Sequence, residues 1–532
     1  MPRPDGLVLF RRAWTAFLVA ATSAPYLMNY LGTPAGWRYT WILPPYPEDS
    51  FGYMAWSRQA AHGSLLLKLK YTALPHAGFL FHPFFLTSGW LSALSRCDIG
   101  VVHWALKGIG VALFMAALHG YLDFLGLSRF QSILASLLAG VSSGLGGLLA
   151  FLGLAGAGRG LPADLWVPDV NTFQCLLWNP LFPYSLALLL TVIHRLDRGS
   201  RDARPSDFWI GGLATGVLAL IHPYSQPLLF LFAAVVTVAR RGGQAVGCLF
   251  RYLLAALPGI AYVGLVGTWQ PLLVQHSATG AMRSPALPVV LLGFGAPLFA
   301  AVAGAALEWR GWVRRHWPVV LWFLLSLLLA YAPFWFQLKF LFGAHVALSI
   351  MAAVSFDRLL DRATTARSRR AVLAVSAIAL LPALIGTPLH LLAAEAREVR
   401  ANPDSAYYVG DGVMRGLDFL RTRTKPDEVV FALYASSRLI PAYAGNAVLW
   451  GHWAMSVDAA EREKWFEALF PERGDWEDPR RAALFWGSDI RYIFADDDLQ
   501  AMMRQEPAAW RAILAEADEV FSDGPVIIYR RR

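Results

Sequence analysis

Long apolar segments alternate with short polar stretches from the N-terminus to about residue 392. Many of these segments approach the roughly 20 residues that an α-helix needs to cross a bilayer. The pattern predicts about eleven membrane-spanning helices. The predicted spans are 9–28, 100–125, 131–155, 181–194, 208–222, a segment ending at Arg240 and Arg241, 250–268, 286–306, 319–336, 342–356 and 371–392.

The first long polar segment, residues 29–98, is too polar to cross a membrane but is rich in aromatic residues. Within it, residues 53–62 follow a helical amphipathic pattern that ends before Gly63, and glycine commonly follows a helix. Residues 79–94 show a second pattern of this kind. Both stretches are typical of helices that lie in the membrane interface, so we predict a long outer loop with two interfacial helices.

From about residue 399 the composition changes, because charges and turn residues return and the apolar runs become short. Runs at 429–433, 492–495 and 526–529 predict buried β-strands, and 461–469 and 507–517 predict helices. The predicted fold class is therefore an α-helical polytopic membrane protein with a C-terminal extracytoplasmic α/β domain. The predicted boundary separates residues 1–398 from residues 399–532.

The composition supports a membrane protein, since 56% of the residues are apolar and 16% are charged, against about 25% charged in soluble domains. The net charge of +9 would suit a nucleic-acid partner, but the arginines cluster between apolar segments. Basic loops follow predicted spans two, four, six, eight and ten, which is the distribution of cytoplasmic loops. The alternation predicts a cytoplasmic N-terminus, an outer C-terminal domain and no nucleic-acid partner.

The first apolar segment contains small residues at 20–24, so a cleaved signal peptide is an alternative to a first span. We prefer the uncleaved span because many further spans follow. The three cysteines, Cys97, Cys175 and Cys248, show no zinc-binding spacing. The predicted topology would allow a Cys97–Cys175 bridge outside the membrane, and three unpaired thiols are the simpler prediction.

Two adjacent carboxylates, Glu48 and Asp49, lie where the chain leaves the first predicted span. Such charges at a membrane interface are unfavourable unless they are solvated, paired or functional. They suit a general base, a metal ligand or a group that positions an acceptor hydroxyl. The alternative is a solvated loop end, in which Asp49 or Ser50 caps the helix that follows.

The next predicted outer loop contains two further carboxylates, Asp164 and Asp169, with Asn171 close by. Their oxygens are ligands that a divalent cation prefers, and the alternative is ordinary polar loop residues. His82 and His222 each precede a proline on the predicted outer side. Proline fixes the backbone at such a position, so these residues suit either a binding site or a place in the membrane interface.

Two outer cations are candidates for binding substrate. Lys339 lies in a tight predicted loop among phenylalanines. A lysine there suits a phosphate partner, or it extends to the lipid headgroups. Arg58 is the second, and the sequence does not choose between it and the other outer cations, Lys68, Lys70, Arg159 and Arg283.

This arrangement resembles the C-type glycosyltransferase superfamily, whose members are polytopic enzymes that use polyprenyl-phosphate sugars. The run Asp49-Ser50-Phe51-Gly52-Tyr53 is similar to the Asp-Glu-x-x-Tyr pattern after the first span in the protein mannosyltransferase and aminoarabinose transferase-like branch. Asp49 and Tyr53 match that pattern, whereas Ser50 stands at the glutamate position and Glu48 is out of register. Stretches around His82, His222 and Lys339 are similar to uncharacterised bacterial members.

The resemblance implies transfer of a hexose or pentose from a polyprenyl-phosphate donor to a glycan, lipid or protein acceptor, at the outer face of a bacterial inner membrane. Asp49, with Glu48 beside it, would act as the acid/base or would orient the acceptor. The substrate-binding candidates are Tyr53, Arg58, His82, His222 and Lys339. Asp164 and Asp169 would hold a divalent cation, Mg²⁺ or Mn²⁺.

Two other classes of function stay open at this point. A lipid or glycan transporter would carry charges or helix breaks deep in duplicated spans. Most charges here lie at span ends, and Lys107 in the second predicted span is an exception. A non-catalytic envelope-assembly protein on the same scaffold is the other alternative, and Ser50 at the glutamate position favours it.

Overall fold

The structure is a computed structural model that describes residues 5–44, 46–154, 161–273, 281–307, 309–363, 365–401, 406–470 and 480–532. The chain forms two compact units, and each is discontinuous in sequence. The helical unit contains residues up to 25, 104–265 and 281–397, and the mixed unit contains residues 26–103, 266–273 and those from 398 onward. The first outer loop and the C-terminal region therefore belong to the same unit.

Helices dominate the first three quarters of the chain. Their bounds are α1 Gly6–Leu31, α2 Pro47–Ala61, α3 Pro83–Ser95, α4 Ile99–Phe124, α5 Arg129–Val141, α6 Gly146–Phe151, α7 Thr172–Trp178, α8 Phe182–Asp202, α9 Pro205–Ile221, α10 Gln226–Arg241, α11 Ala245–Trp269, α12 Leu287–Leu307, α13 Trp309–Leu329, α14 Ala344–Arg362 and α15 Ala366–Ala401. Short 3₁₀ helices occur at Ala163–Leu165, Pro168–Val170, Pro223–Ser225, Gly242–Gln244 and Gln337–Leu341.

The remaining elements belong to the mixed unit. The strands are β1 Trp37–Tyr39, β2 Tyr408–Gly410, β3 Val429–Phe431, β4 Ala447–Val448, β5 Ile490–Ala495, β6 Ala517–Asp523 and β7 Val526–Arg531. The helices are α16 Asp411–Arg423, α17 Tyr434–Ser437, α18 Ile440–Tyr443, α19 Ala459–Leu469, α20 Arg480–Trp486, α21 Asp497–Gln505 and α22 Pro507–Leu514.

Five helical segments of the described chain are long and apolar enough to cross a membrane. They are Gly6–Leu31, Ile99–Phe124, Pro223–Trp269, Leu287–Ala306 and Gln337–Arg362. This agrees with a multi-pass membrane protein, but it does not confirm eleven spans. The single span predicted at 131–155 is wrong, because α5 ends at Val141 and α6 begins only at Gly146. The glycines of this interruption pack tightly, since a Cβ at Gly144 would overlap the backbone of Gly293.

The first helix packs closely within the helical unit. Arg11 donates to the Asp123 carboxylate at 2.8 Å, and the Trp14 indole donates to the Ser136 carbonyl at 3.0 Å. Lys107 of α4 is buried and donates its ammonium protons to the carbonyls of Thr22 at 2.6 Å and Leu177 at 3.3 Å. The lysine that interrupts the second span therefore links three parts of the helical unit. The three cysteines are unpaired, which confirms the simpler of the two predictions.

Small residues bring α9 and α11 into backbone contact. Gly212 and Gly216 are spaced as in a Gly-x-x-x-Gly motif, and a Cβ at Gly212 would overlap the Tyr252 carbonyl. On the facing helix, a Cβ at Gly259 would overlap the Gly216 carbonyl. Membrane helices associate largely through such close packing, because lipid offers no hydrophobic driving force between them.

We expect Gly259→Ala to lower stability by about 1–3 kcal/mol, because a methyl group forced into a packed contact displaces backbone. The measurement is the thermal unfolding midpoint of the protein in lipid nanodiscs. Gly247→Ala on the same helix is the matched control, since its methyl would meet only the end of the Arg251 side chain at 3.5 Å. Equal midpoints for the two variants would contradict the proposed α9–α11 contact.

The C-terminal part of the mixed unit contains a five-stranded sheet in the order β4-β3-β5-β7-β6. Strand β3 pairs in parallel with β4 and β5, and β7 pairs antiparallel with β5 and β6. The three predicted strands are confirmed as β3, β5 and β7, which are neighbours in the sheet. The two predicted helices are confirmed as α19 and α22. The sequence did not predict the edge strands β4 and β6, because β4 is only two residues long and β6 contains several polar residues.

The first outer loop is built into the mixed unit. Strand β1 pairs antiparallel with β2, and the Thr40 amide beside it donates to the Tyr407 carbonyl at 2.9 Å. Lys70 donates to the Pro426 carbonyl at 2.6 Å and forms an ion pair with Asp427 at 3.0 Å. The loop therefore pairs with the C-terminal region through both main chain and side chains.

The two predicted interfacial helices are both present, but their surroundings differ. Helix α2 places Phe51, Met54 and Ala55 in the core of the mixed unit, so it is a core helix rather than an interfacial one. The reason is that its apolar residues meet α18, which follows strand β3 in the chain. Helix α3 keeps Trp90 and Leu94 exposed, as an interfacial helix does.

Candidate functional site

The candidate residues fall into two groups, one in each unit, and each group is described by itself. Glu48, Asp49, Tyr53, Arg58 and His82 lie in the mixed unit. Asp164, Asp169, His222 and Lys339 lie in the helical unit. The fold thus gathers residues that are far apart in sequence into two local clusters.

The adjacent carboxylates occupy the first turn of α2. That helix begins at Pro47, and Tyr46 before it makes no side-chain capping bond. The alternative in which Asp49 or Ser50 caps the helix is therefore wrong. Proline suits the first helical position because its φ is already helical and its missing N–H would have no helical partner. Carboxylates in this turn are stabilised by the positive end of the helix dipole.

The Asp49 carboxylate is held by residues of the C-terminal region. The indole Nε1 of Trp453 donates to Asp49 Oδ1 at 2.9 Å, and Nε2 of His452 lies 3.5 Å from the same oxygen. The Asp49 side chain stays 33% exposed, so a substrate group can reach it. Glu48 lies 3.7 Å from Arg438, so both carboxylates meet partners from the same part of the chain.

The hydrogen bonds of His452 determine its tautomer. Its Nδ1 accepts the backbone N–H groups of Ala454 and Met455, each at 3.1 Å. An accepting ring nitrogen carries no proton, so the neutral ring bears its proton on Nε2, which faces Asp49. The buried side chain is therefore oriented as a donor towards the carboxylate.

Tyr71 and Gly52 shape the space around the His452 ring. The Tyr71 ring lies 5.4 Å from the imidazole, and its hydroxyl donates to the Arg438 carbonyl at 2.9 Å. Burial raises the pKa of Tyr71 well above its ordinary value, so the hydroxyl stays protonated. A Cβ at Gly52 would lie 3.3 Å from His452 Nε2 and 2.7 Å from the Met455 methyl carbon. Glycine at this position thus lets the imidazole approach α2 beside Asp49.

The remaining candidates of this unit pack nearby. The rings of Tyr53 and His82 lie 5.2 Å and 4.0 Å from the Phe85 ring, so the structure brings them to one aromatic residue. Arg58 is partly buried, and its Nε donates to the Ala442 carbonyl at 2.5 Å. Burial lowers the pKa of Arg58. Arg58 thus ties α2 to the C-terminal region, and substrate binding by these three residues stays a prediction.

In the helical unit, Lys339 and Asp169 form an ion pair. Their charged atoms lie 3.0 Å apart, with the Asp169 side chain 1% exposed and the Lys339 side chain 14% exposed. The ammonium also lies 5.4 Å from the centre of the Phe182 ring, a cation–π distance. The predicted loop cation is therefore a buried, paired group with a small exposed surface.

His222 packs beside this pair through shared aromatic neighbours. Its ring stacks on Phe342 at 4.5 Å, and Phe342 lies 5.3 Å from Phe182. Its Nδ1 is 2.9 Å from the Ser225 hydroxyl. Within the part of the chain that the structure describes, its buried Nε2 has no hydrogen-bond partner. Asp169, His222 and Lys339, from three separate loops, thus form one cluster.

The two predicted cation ligands are directed to different partners. Asp164 is buried and accepts the Gly146 amide at 3.2 Å and the Thr387 hydroxyl, whereas Asp169 binds Lys339. Among the described residues, no group of three or more His, Cys, Asp or Glu side chains is placed to hold a metal ion. Asp164 and Asp169 therefore do not fit a shared cation site, and a requirement for Mg²⁺ or Mn²⁺ stays a prediction.

Burial raises the pKa of Asp164 from 3.8 to about 7, which makes stability depend on pH. Between those values the folded protein keeps a proton that the unfolded chain has released. Stability should therefore fall by up to about 1.4 kcal/mol per pH unit as the pH rises, and level off above about pH 7. Asp164→Asn should remove this dependence. Unfolding midpoints of both proteins from about pH 5 to pH 8 measure it, and parallel curves would contradict it.

Sequence reasoning missed Arg438, His452 and Trp453, which surround the carboxylates of α2. They lie far from Asp49 in sequence, and no spacing rule connects them. The available signal was the run Trp450-Gly451-His452-Trp453, which is unusually aromatic for a turn between a strand and a helix. This run differs from the Trp-Trp-Asp motif of oligosaccharyltransferases, so its composition alone did not identify it as part of a site.

Comparison with known proteins was informative for structure. No family model matches the chain, and no curated protein matches it. The archaeal oligosaccharyltransferase AglB from Archaeoglobus fulgidus, solved with an inhibitory peptide and a dolichol-phosphate, is 12% identical with a TM-score of 0.52. The match covers 98% of this chain and 75% of that one. The Archaeoglobus fulgidus oligosaccharyltransferase solved with Zn and sulfate gives 12% identity, a TM-score of 0.50 and coverage of 97% and 73%.

A third solved structure is named for the sugar that it transfers. The arabinofuranosyltransferase AftD from Mycobacteria is 14% identical with a TM-score of 0.51, and the match covers 97% of this chain and 40% of that one. Identities this low establish the fold alone, but the likeness extends over nearly the whole chain. This multi-pass membrane protein therefore shares the fold of these solved glycosyltransferase structures, in agreement with the fold that the sequence resemblance implied.

Proposed function

We propose that the protein transfers a hexose or pentose from a polyprenyl-phosphate donor to a glycan, lipid or protein acceptor. The fold supports a glycosyltransferase, and the AglB structure was solved with a dolichol-phosphate and a peptide. The observation that carries the proposal is the Asp49 carboxylate. It is partly exposed in the first turn of α2, with one oxygen held by Trp453 and faced by His452.

Asp49 is suited to act as the general base. As the acceptor oxygen forms its bond to the sugar C1, Asp49 takes the acceptor proton. The bond between C1 and the phosphate oxygen breaks, and the polyprenyl phosphate leaves with the bonding electrons. A base held in place by N–H donors loses little orientation freedom during this step. Glu48 is proposed to offset the positive charge of Arg438, which lies 3.7 Å away.

We assign recognition of the donor phosphate to Lys339 and His222. An ammonium forms charge-assisted hydrogen bonds with phosphate oxygens, and the buried Nε2 of His222 offers a further polar atom beside it. This assignment is independent of the role of Asp49. It is supported by the clustering of two substrate-binding candidates in one place.

The proposed location is a bacterial inner membrane, with the N-terminus in the cytoplasm and residues 399–532 outside. The alternating basic loops support this topology. A non-catalytic assembly role on the same scaffold is the second candidate, because Ser50 replaces the second carboxylate of the motif. The position of Asp49 favours the enzyme, because the carboxylate is both held by the Trp453 N–H and open to a substrate group.

The test is sugar transfer by the purified full-length protein in lipid nanodiscs. A panel of radiolabelled polyprenyl-phosphate hexoses and pentoses serves as donors, and cell-envelope glycan and glycolipid extracts serve as acceptors. We expect label to appear in an acceptor fraction with at least one donor. No transfer from any donor would contradict the proposal in favour of the assembly role, whereas movement of donor across a vesicle membrane without product would indicate a transporter.

A further inference from the structure

The mixed unit contains a cavity whose lining does not include Asp49. This cavity of about 430 Å³ is within the size range of small-molecule sites. Five of its eleven lining residues are aromatic, and its polar groups include one carboxylate and one guanidinium. The aromatic residues are Tyr30, Trp37, Tyr39, Trp41 and Tyr443, and the charged ones are Arg38 and Asp98.

One of these rings, that of Trp41, is attached to a backbone in a strained conformation. Trp41 has φ +60°, a region that bulky residues rarely adopt. Its ring stacks on Tyr30 with centres 5.0 Å apart and lies 5.7 Å from Tyr39. A Cβ at Gly100 would lie 2.8 Å from the Trp41 Cβ, so the glycine makes room for this turn. Strain of this kind persists where the fold needs a side chain in a defined position.

The charged groups lie on the same wall as the rings. Asp98 is exposed and accepts the Gly100 amide at 2.7 Å. Arg38 is also exposed and lies 3.4 Å from Asp411. The cavity thus offers a hydrogen-bonding carboxyl and a guanidinium fork beside flat apolar rings.

We propose that this cavity binds a saccharide. A sugar ring has apolar C–H faces that stack on indole and phenol rings, and hydroxyl edges that need polar partners. Aromatic rings with polar tips supply large contact area with little loss of side-chain freedom. A carboxyl and a guanidinium supply directional hydrogen bonds to neighbouring hydroxyls. A purely apolar wall would suit a lipid chain, and a cationic wall would suit a phosphate.

The bound sugar is either a unit of the acceptor glycan or the sugar of the lipid-linked donor, since both present the same chemistry. The inference deepens the proposed function by placing a saccharide site in the unit that contains Asp49. Binding itself requires no transfer, so the two ideas can fail separately.

Saturation-transfer NMR on the full-length protein in nanodiscs tests the proposal. The probes are methyl hexosides, methyl pentosides and their disaccharides. We expect binding by the unmodified protein, and at least about tenfold weaker binding after Trp37→Leu or Arg38→Gln, as for central interface residues. Arg38 is half-exposed, so its variant should fold. Trp90→Leu, an exposed tryptophan of α3 in the same unit, is the matched control.

Each outcome decides the proposal. Asp523→Asn, at a carboxylate of the same unit that belongs neither to the cavity nor to the proposed base, should bind saccharide normally. Binding of soluble saccharides supports an acceptor glycan, and signals only from a polyprenyl-phosphate sugar added to the same nanodiscs support the donor sugar. No signal from either class, or normal binding by both cavity variants, would overturn the saccharide site whatever the transfer assay shows.

Discussion

Asp49→Asn is expected to lower the rate of sugar transfer by about 10²- to 10⁴-fold, the contribution of a positioned general base. Asparagine has the same shape as aspartate, and its amide oxygen can still accept the Trp453 N–H. The first turn of α2 should therefore keep its structure. What the variant loses is the negative charge that takes the acceptor proton. Initial transfer rates in nanodiscs, with unfolding midpoints of both proteins, measure the effect.

Asp523→Asn is the matched control for this result. It makes the same chemical change in the same unit, at a carboxylate that is as exposed as Asp49 and pairs with Arg415. Transfer by this variant should be unchanged. Glu48→Gln should reduce transfer by less than about tenfold, because its distant pairing with Arg438 is a weak, partly solvated interaction. Full transfer by Asp49→Asn would exclude Asp49 as the base and keep only the fold assignment.

Lys339→Met is expected to destabilise the protein by about 3–5 kcal/mol, the typical cost of removing one partner of a buried ion pair. The reason is that Asp169, at 1% exposure, would keep a charge without its counterion. The same change should also weaken donor binding if the ammonium contacts the lipid phosphate. The unfolding midpoint and the donor concentration at half-maximal transfer measure these two effects.

The double variant Lys339→Met/Asp169→Leu separates structure from binding. Apolar residues often replace a buried pair without loss of stability, so the double variant should recover most of the midpoint that the single variant loses. Donor binding should stay weak, because the cation is still absent. Arg415→Met, at the exposed pair with Asp523, should leave both measurements unchanged. Recovery of donor binding in the double variant would show that Lys339 serves only to pair with Asp169.

Asp49 and Lys339 lie in different compact units, so their variants test different parts of the protein. Asp49 accepts a hydrogen bond from Trp453 in the C-terminal region. Lys339 forms an ion pair with Asp169 in the 3₁₀ turn at Pro168–Val170. Each prediction therefore perturbs one local cluster. The base variant should reduce the catalytic rate, and the lysine variant should mainly raise the donor concentration required.

The helices and strands were largely predictable, because each depends on a local pattern of apolar residues in the sequence. Apolar length indicated α1, α4 and α14, and continuous apolar runs indicated β3, β5 and β7. The prediction failed at 131–155, where Ser142, Ser143 and Gly144 interrupt the helix. Hydropathy measures whether a segment is apolar, but it does not report that a glycine must pass close to another backbone.

The candidate carboxylate was predictable, but its environment was not. Two acidic residues beside a first span are visible in any hydropathy pattern. Their contacts with His452 and Arg438 depend on tertiary packing within the mixed unit. The same limit applies to Asp164 and Asp169, which look alike in sequence. One binds a backbone amide and a threonine, and the other binds a lysine.

The sequence by itself determined that this is a multi-pass membrane protein with a C-terminal α/β region, and it identified Asp49 as the residue to test. These conclusions follow from hydropathy, local pattern and a short motif, which need no knowledge of distant contacts. Only the tertiary structure decided that α2 is a core helix, that Trp453 and His452 lie beside the Asp49 carboxylate, and that Asp169 forms an ion pair with Lys339. Each of these contacts joins residues that become neighbours only through folding. Their separation along the sequence does not predict how close they lie in the structure.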